Sequence, residues 1–200
     1  MKTRKTKKIK GVKTRKTKTK KITTVPVRYV PKSLSSANAA AQKAELRKSR
    51  KAYKQGKSEK GKKGKKGKKG KGNKIRYYTR KKMPSFKSKE SPHIIKARKI
   101  YGVEKIVPSA ELAKATKCKR ATLRRIEQKG QGAYFSSGSR PNQTAHSWGR
   151  ARLASAITGG KASAVDLKLL ETGCEKGSKA LKLAQKAKGY GQRRVPQIKL

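Results

Sequence analysis

The chain has 200 residues, 60 of them Lys or Arg against 9 Asp or Glu, for a formal charge of +51. Self-repulsion of that size opposes compaction, so the charge implies a polyanionic partner, nucleic acid ahead of an anionic membrane or an acidic protein surface. A hydrophobic fraction of 32% leaves only part of the chain able to bury a core. No apolar run approaches the roughly 18 residues a spanning helix needs, and MKTRKTKKIK lacks the apolar segment of a secretory signal. Cys118 and Cys174 have no CxxC spacing, and are expected as reduced, half-buried thiols of an intracellular protein rather than zinc ligands.

Residues 1–24 carry twelve Lys or Arg and no acid, with KTRKTK at Lys2–Lys7 and again at Lys13–Lys18. Nothing in this block can offset its ordering entropy by burial, so a disordered basic arm that neutralises phosphate is expected. Within residues 25–58, VPVRYVP (25–31) reads as an extended segment between prolines. Ser35 or Ser36 then caps a helix over Ala37–Tyr53, whose apolar face (Ala40, Ala44, Leu46, Tyr53) is thin and calls for a partner surface. Residues 59–73 contain KGKKGKKGKKGKGN, a flexible Lys/Gly linker.

A helical core domain is expected over residues 74–188. Its first segment, IRYYTRKKMPSF (75–86), interleaves Tyr77, Tyr78 and Phe86 with Arg76, Arg80 and Lys81. That pattern suits stacking of unpaired bases, or simply anchoring of the segment to the core. Ser91-Pro92 opens a helix with Ile94, Ile95, Ala97 and Ile100 on its apolar face. Ser163 is expected to cap a helix carrying Val165, Leu167, Leu169 and Leu170 up to Gly173. Ser178–Lys188 forms another amphipathic helix, and residues 189–200 leave as a basic tail.

SAELAKATKCKRATLRRIEQKG (109–130) has the sharpest spacing. Ser109 caps a first helix with Glu111 in its first turn, a turn surrounds Lys117, and a second helix places Leu123 and Ile126 inward before ending at Gly130. The stretch resembles the helix-turn-helix of phage-repressor-type DNA-binding proteins at Ala113, Cys118, Leu123 and Ile126. It departs from them at Lys117, where that family prefers Gly, at a cost of about 1 kcal/mol if the residue is left-handed. The resemblance implies a DNA-facing surface of Lys119, Arg120, Ala121, Arg124, Arg125 and Gln128, with Arg and Gln being types that read guanine and adenine edges.

The following stretch, Gly130–Gly160, is the least lysine-like of the chain and holds its only Trp. Gly132–Arg140 reads as a tight loop, with Gly138, the hydroxyls of Ser136, Ser137 and Ser139, and Arg140 arranged as a phosphate cradle. Asn142 or Thr144 caps a helix with Trp148, Leu153, Ala156 and Ile157 on its apolar stripe, Arg150 and Arg152 beside it, and Gly159-Gly160 as its stop. His146 has no nearby carboxylate in sequence to orient it, so no catalytic group is expected.

Three stretches carry a wider resemblance: RYVPKSLS with SRKAYK, YYTRKKMPSFKSKESPHI, and KGQGAYFSSGSRPNQTAHSWGRARLASAITGGKASAVD. Together they resemble an uncharacterised domain of large nucleocytoplasmic DNA viruses with shorter relatives in tailed phages. The resemblance implies a viral setting more than a mechanism. The resulting expectation is an all-α domain between a basic arm and a basic tail, binding nucleic acid without catalysis, with double-stranded DNA favoured. Contacts are expected from Lys119, Arg120, Arg124, Arg125, Gln128, Arg140, Arg150, Arg76 and Arg80. No cofactor, metal, membrane or small-molecule substrate is expected, and the location implied is the virion interior or the host cell. The alternative is a minor capsid or internal virion protein whose core docks on other virion proteins.

Overall fold

The computed structural model describes residues 23–63, 77–188 and 195–200. Most of the basic arm and of the Lys/Gly linker lie outside the described residues. The architecture is helical, as expected: seven α-helices and one two-stranded antiparallel ribbon among the described residues.

At the centre lies α4 (Arg120–Ser136), packed along α5 (Ala145–Ile157) more extensively than any other pair of elements. The expected stop at Gly130 does not occur. Gly130 is a packing glycine: a Cβ there would lie 2.7 Å from the Gly149 Cα, and one on Gly149 would lie 2.8 Å from the Glu127 carbonyl. The two helices touch backbone to backbone, so the glycine is needed inside the helix and α4 continues to Ser136. Thr144 closes a capping box with Ser147 at the start of α5, which satisfies amides that no preceding turn can reach.

Around this pair, α2 (Pro92–Tyr101) begins with Pro at its first turn and ends at left-handed Gly102, φ 65°. It contributes Ala97 to the core, whereas Ile95 is 55% exposed. In α3 (Ala110–Thr116) the Ser109 hydroxyl accepts from the Leu112 amide, and the helix ends at Lys117 with φ 53°. After Gly159, φ 73°, the chain enters α6 (Lys161–Gly173). Ser163 does not cap this helix; Gly160 does. The Ser163 hydroxyl is buried and donates to the Ser155 and Ala156 carbonyls. Val165, expected on the apolar face, is 61% exposed. Ser178 caps α7 (Lys179–Lys186), which buries Ala180, Leu181 and Ala184. One core unites these helices through Leu112, Leu123, Ile126, Leu153, Ile157 and Leu170.

Cys118 and Cys174 are not free thiols. They form a disulfide across 56 residues. The Lys119 amide donates to the Gly173 carbonyl at 2.7 Å and the Glu175 amide to the Lys117 carbonyl at 2.9 Å. This short antiparallel bridge sets the two cysteines side by side, an adjacency that sequence spacing could not reveal.

A second core cluster shows that the packed body does not begin near residue 74. Val25, Tyr29, Val30, Leu34 and Leu46 pack with Met83, against Phe86, Trp148, Ile198 and Leu200. The segment expected to be extended forms β1 (Thr24–Pro26) and a 3₁₀ turn, Val27–Tyr29. The end of the chain does not simply leave: β2 (Gln197–Lys199) pairs with β1, Val25 opposite Ile198. The helix expected at 37–53 is α1 (Ser36–Lys63). It docks through polar as much as apolar side chains. The buried Gln42 amide donates to the Tyr29 carbonyl, and the Ser49 hydroxyl to the Phe135 carbonyl, on either side of fully buried Leu46.

Candidate nucleic-acid interface

The expected contact residues fall into three groups. Lys119, Arg124, Arg125 and Gln128 are exposed on α4 and its N-cap. Arg120 joins them, although its Nε donates to the Pro108 carbonyl at 2.9 Å. Arg150 is exposed on α5 and Arg140 on the loop that follows α4. Arg76 lies outside the described residues.

Arg80 is turned inward. Its guanidinium lies 3.8 Å from the Tyr134 ring centroid and donates to the Tyr134 carbonyl and the Ser139 hydroxyl. Burial pulls its pKa below the usual arginine value. The aromatics around it are anchors. Tyr78 Oη donates to both carboxylate oxygens of Glu45 at 2.9 Å, and Met83 and Phe86 join the second cluster. The Lys81 amide also donates to Glu45. Burial of Glu45 opposes its charge, but these hydrogen bonds outweigh it and hold the carboxyl below its ordinary range.

The Gly132–Arg140 segment is not an open cradle. Residues up to Ser136 are helical, and the Ser137 and Gly138 amides both donate to the Ala133 carbonyl. Ser139 is fully buried. Gly138, φ 99°, is needed because a Cβ there would strike Leu46 Cδ2 at 2.6 Å. Asn142, φ 57°, clamps the turn at 83–86 by donating to the Met83 and Phe86 carbonyls while accepting from the Met83 amide.

Extension of α4 also separates the expected site. Seventeen helical residues span about 25 Å, so Lys119 and Arg120 stand at one end and Arg140 beyond the other. Arg140 belongs with Arg28 and Lys96, whose charges help lower the His93 pKa after burial, its largest cause.

What α4 does bring together is a groove of about 640 Å³ beside it. Arg125, Gln128, Lys129, Gly132 and Ser136 line it from α4, faced by Tyr53 of α1, Arg152 of α5 and Leu169 of α6. The sequence puts Arg125 and Gln128 on an exposed face, but Gly132 in a loop, Arg152 beside the apolar stripe of α5 and Tyr53 on the apolar face of α1, and it gives Lys129 no role. The signal was present as spacing: 125, 128, 129, 132 and 136 share one helical face once α4 is allowed past Gly130. Two of the groove cations are held by Asp166, which is buried. Arg152 Nε and Nη2 donate to its two oxygens at 2.8 and 2.9 Å, and Lys129 Nζ to one of them at 2.6 Å.

His146 Nδ1 lies 3.3 Å from Gln131 Nε2, and neither histidine meets a carboxylate among the described residues. No helix among them is long and apolar enough to cross a membrane.

Fold and surface therefore define a small helical domain with a cationic central helix. The model of a family of unknown function, DUF5824, matches residues 71–171, and the chain belongs to that family. The matched range runs from the segment before α2 into α6, and so excludes α1 and both strands. No curated protein and no solved structure matches the chain.

Proposed function

We propose that this is a non-catalytic nucleic-acid-binding protein, contacting duplex DNA through phosphate neutralisation by its basic arm and the exposed face of α4. The observation that carries the reading is the distribution of charge on α4. Lys119, Arg124 and Arg125 are exposed and have no carboxylate within ion-pair distance among the described residues. The excess of 60 basic over 9 acidic residues requires a counter-polyanion, and counterion release makes nucleic acid the strongest such partner. The α3–turn–α4 arrangement, with left-handed Lys117 at the turn, supports presentation of the α4 N-terminal half to DNA in the manner of a helix-turn-helix. The setting we propose, from the viral resemblance of the sequence, is the virion interior, against packaged genome.

The test is anisotropy of full-length protein on a duplex across a salt series. Each phosphate contact contributes about 0.9 to the slope of log K against log salt. Lys119→Gln with Arg124→Gln is expected to lower that slope by about 1.8. An unchanged slope would leave only the arm on DNA. The folded body would then be a docking module, as in a minor capsid or internal virion protein.

A further inference from the structure

Gly132 is the anomaly that points to a further site. Glycine is the least favourable helix-interior residue after proline, and the other α4 glycine is needed by the crossing with α5. Gly132 is not: a Cβ there would meet nothing within 4 Å. It faces the groove of about 640 Å³, and its lack of a side chain leaves that groove open.

The groove walls have the chemistry of a nucleotide. Asp166 orients Arg152 through Nε and Nη2, and Lys129 through one of three ammonium protons. The remaining donors of both cations stay available, and three positive groups with Arg125 outnumber the single buried carboxylate. At the edge, Tyr53 stacks on Tyr77 (centroids 6.5 Å apart, 25° between planes) and Tyr77 on Phe135 (4.4 Å, 22°). Tyr77 thus lies between the other two rings, and Tyr53 is the ring of the three that lines the groove. A cationic groove lined by a braced aromatic ring is how single strands are held, phosphate on the cations and base on the ring. The volume is in the range of small-ligand sites, about 300–1,000 Å³.

We infer that this groove binds one or two nucleotides of an unpaired nucleic-acid strand, its phosphate between Arg125 and the Lys129–Arg152 pair and a base against Tyr53. The inference rests on the nucleic-acid reading above but concerns a different face of α4 from Lys119 and Arg124. A strand end or a locally opened duplex would supply the ligand.

The experiment compares full-length wild type with Gly132→Leu and Arg125→Gln, binding a fluorescent twelve-nucleotide oligothymidine and a duplex of equal length. In parallel, a 5-iodouracil-substituted oligothymidine is photo-crosslinked and the adduct mapped by mass spectrometry. A Cβ at position 132 meets nothing within 4 Å, and circular dichroism checks that Gly132→Leu keeps its helix content. That variant is expected to weaken single-strand binding at least tenfold and duplex binding less than twofold. Arg125→Gln is expected to weaken the strand about threefold to tenfold, and the adduct to fall on Tyr53 or its stacked neighbour Tyr77. Equal strand affinity for wild type and Gly132→Leu, or adducts only on the basic arm, would overturn the groove site. Duplex binding that still responds to Lys119→Gln with Arg124→Gln would then leave the broader reading intact. Loss of all nucleic-acid binding by the wild type at physiological salt would overturn both.

Discussion

Gly130 and Gly132 stand two residues apart in α4, and alanine at the two positions is expected to have opposite effects. Replacing a helix-interior glycine by alanine stabilises by about 0.8–1 kcal/mol when nothing else changes. At Gly132 nothing else does change, since a Cβ there meets no atom within 4 Å. At Gly130 the new Cβ would sit 2.7 Å from the Gly149 Cα and 3.0 Å from the Arg152 Cβ. The struck atom is backbone, so α5 as a whole must move away, loosening its packing around Leu153 and Ile126. Overpacking of this kind costs about 1–3 kcal/mol. With a rigid neighbour the upper part of that range applies, for a net loss of about 2 kcal/mol after the propensity gain. For a chain of this size 1 kcal/mol moves the melting midpoint by about 2–4 °C. Gly132→Ala is thus expected to melt about 2–4 °C above wild type and Gly130→Ala about 4–8 °C below it. Circular dichroism melts with urea titrations measure both. Equal stability of the two variants would refute the backbone-contact account of the α4–α5 crossing.

The disulfide and the buried carboxylate give two further expectations. Closing a 56-residue loop between Cys118 and Cys174 restricts the unfolded chain by about 4 kcal/mol, so dithiothreitol is expected to lower the urea midpoint of wild type but not of Cys118→Ser with Cys174→Ser; two freely titrating thiols in native protein would contradict this. Because Glu45 has its pKa depressed in the fold, its contribution is present above the ordinary carboxylate range and lost as pH falls through the lower folded value. The midpoint gap between wild type and Glu45→Gln is therefore expected to be full near neutrality and to close below about pH 4, and a pH-independent gap would count against the Tyr78 and Lys81 hydrogen bonds as its source. His93, lowered by burial, adds a separate loss of stability beginning near its ordinary value of about 6.5 as pH falls, absent in His93→Gln.

Elements that carry their own capping and periodic signals were readable from the chain. Ser91-Pro92, Ser109, Thr144, Gly159-Gly160 and Ser178 each mark a boundary through local backbone chemistry, and Leu123, Ile126, Leu153 and Ile157 are buried where their spacing puts them. What could not be read depends on contacts between distant residues. Gly130 looks like a helix stop unless Gly149 is known to lie against it. Gln42, Glu45 and Ser49 look like a solvated face, yet they are buried because carbonyls at Tyr29 and Phe135, the Lys81 amide and the Tyr78 hydroxyl meet them. The extended segment at 25–31 and the terminal tail read as separate ends because strand pairing across the whole chain has no local signature. The groove was lost for the same reason as Gly130: ending α4 there removes Gly132 and Ser136 from the helix face that begins at Arg125.

The placement of the acids bears on what the charge is for. Among the described residues only Glu45 and Asp166 are buried acids, and each fastens a basic element: Glu45 holds the Tyr78–Lys81 segment on α1, and Asp166 holds Lys129 of α4 and Arg152 of α5. On α4 the single acid, Glu127, is half-buried, with its carbonyl and Cγ against Gly149. Acids whose purpose was to relieve self-repulsion would be interspersed among Lys119, Arg120, Arg124 and Arg125, where exposed pairs form at little cost. The two buried acids instead order basic elements, and the one exposed pair among the described residues, Arg98 with Glu90, lies on α2 and its approach rather than on that surface. On the nucleic-acid reading proposed above, that uncompensated face is where the charge of a polyanion would lie.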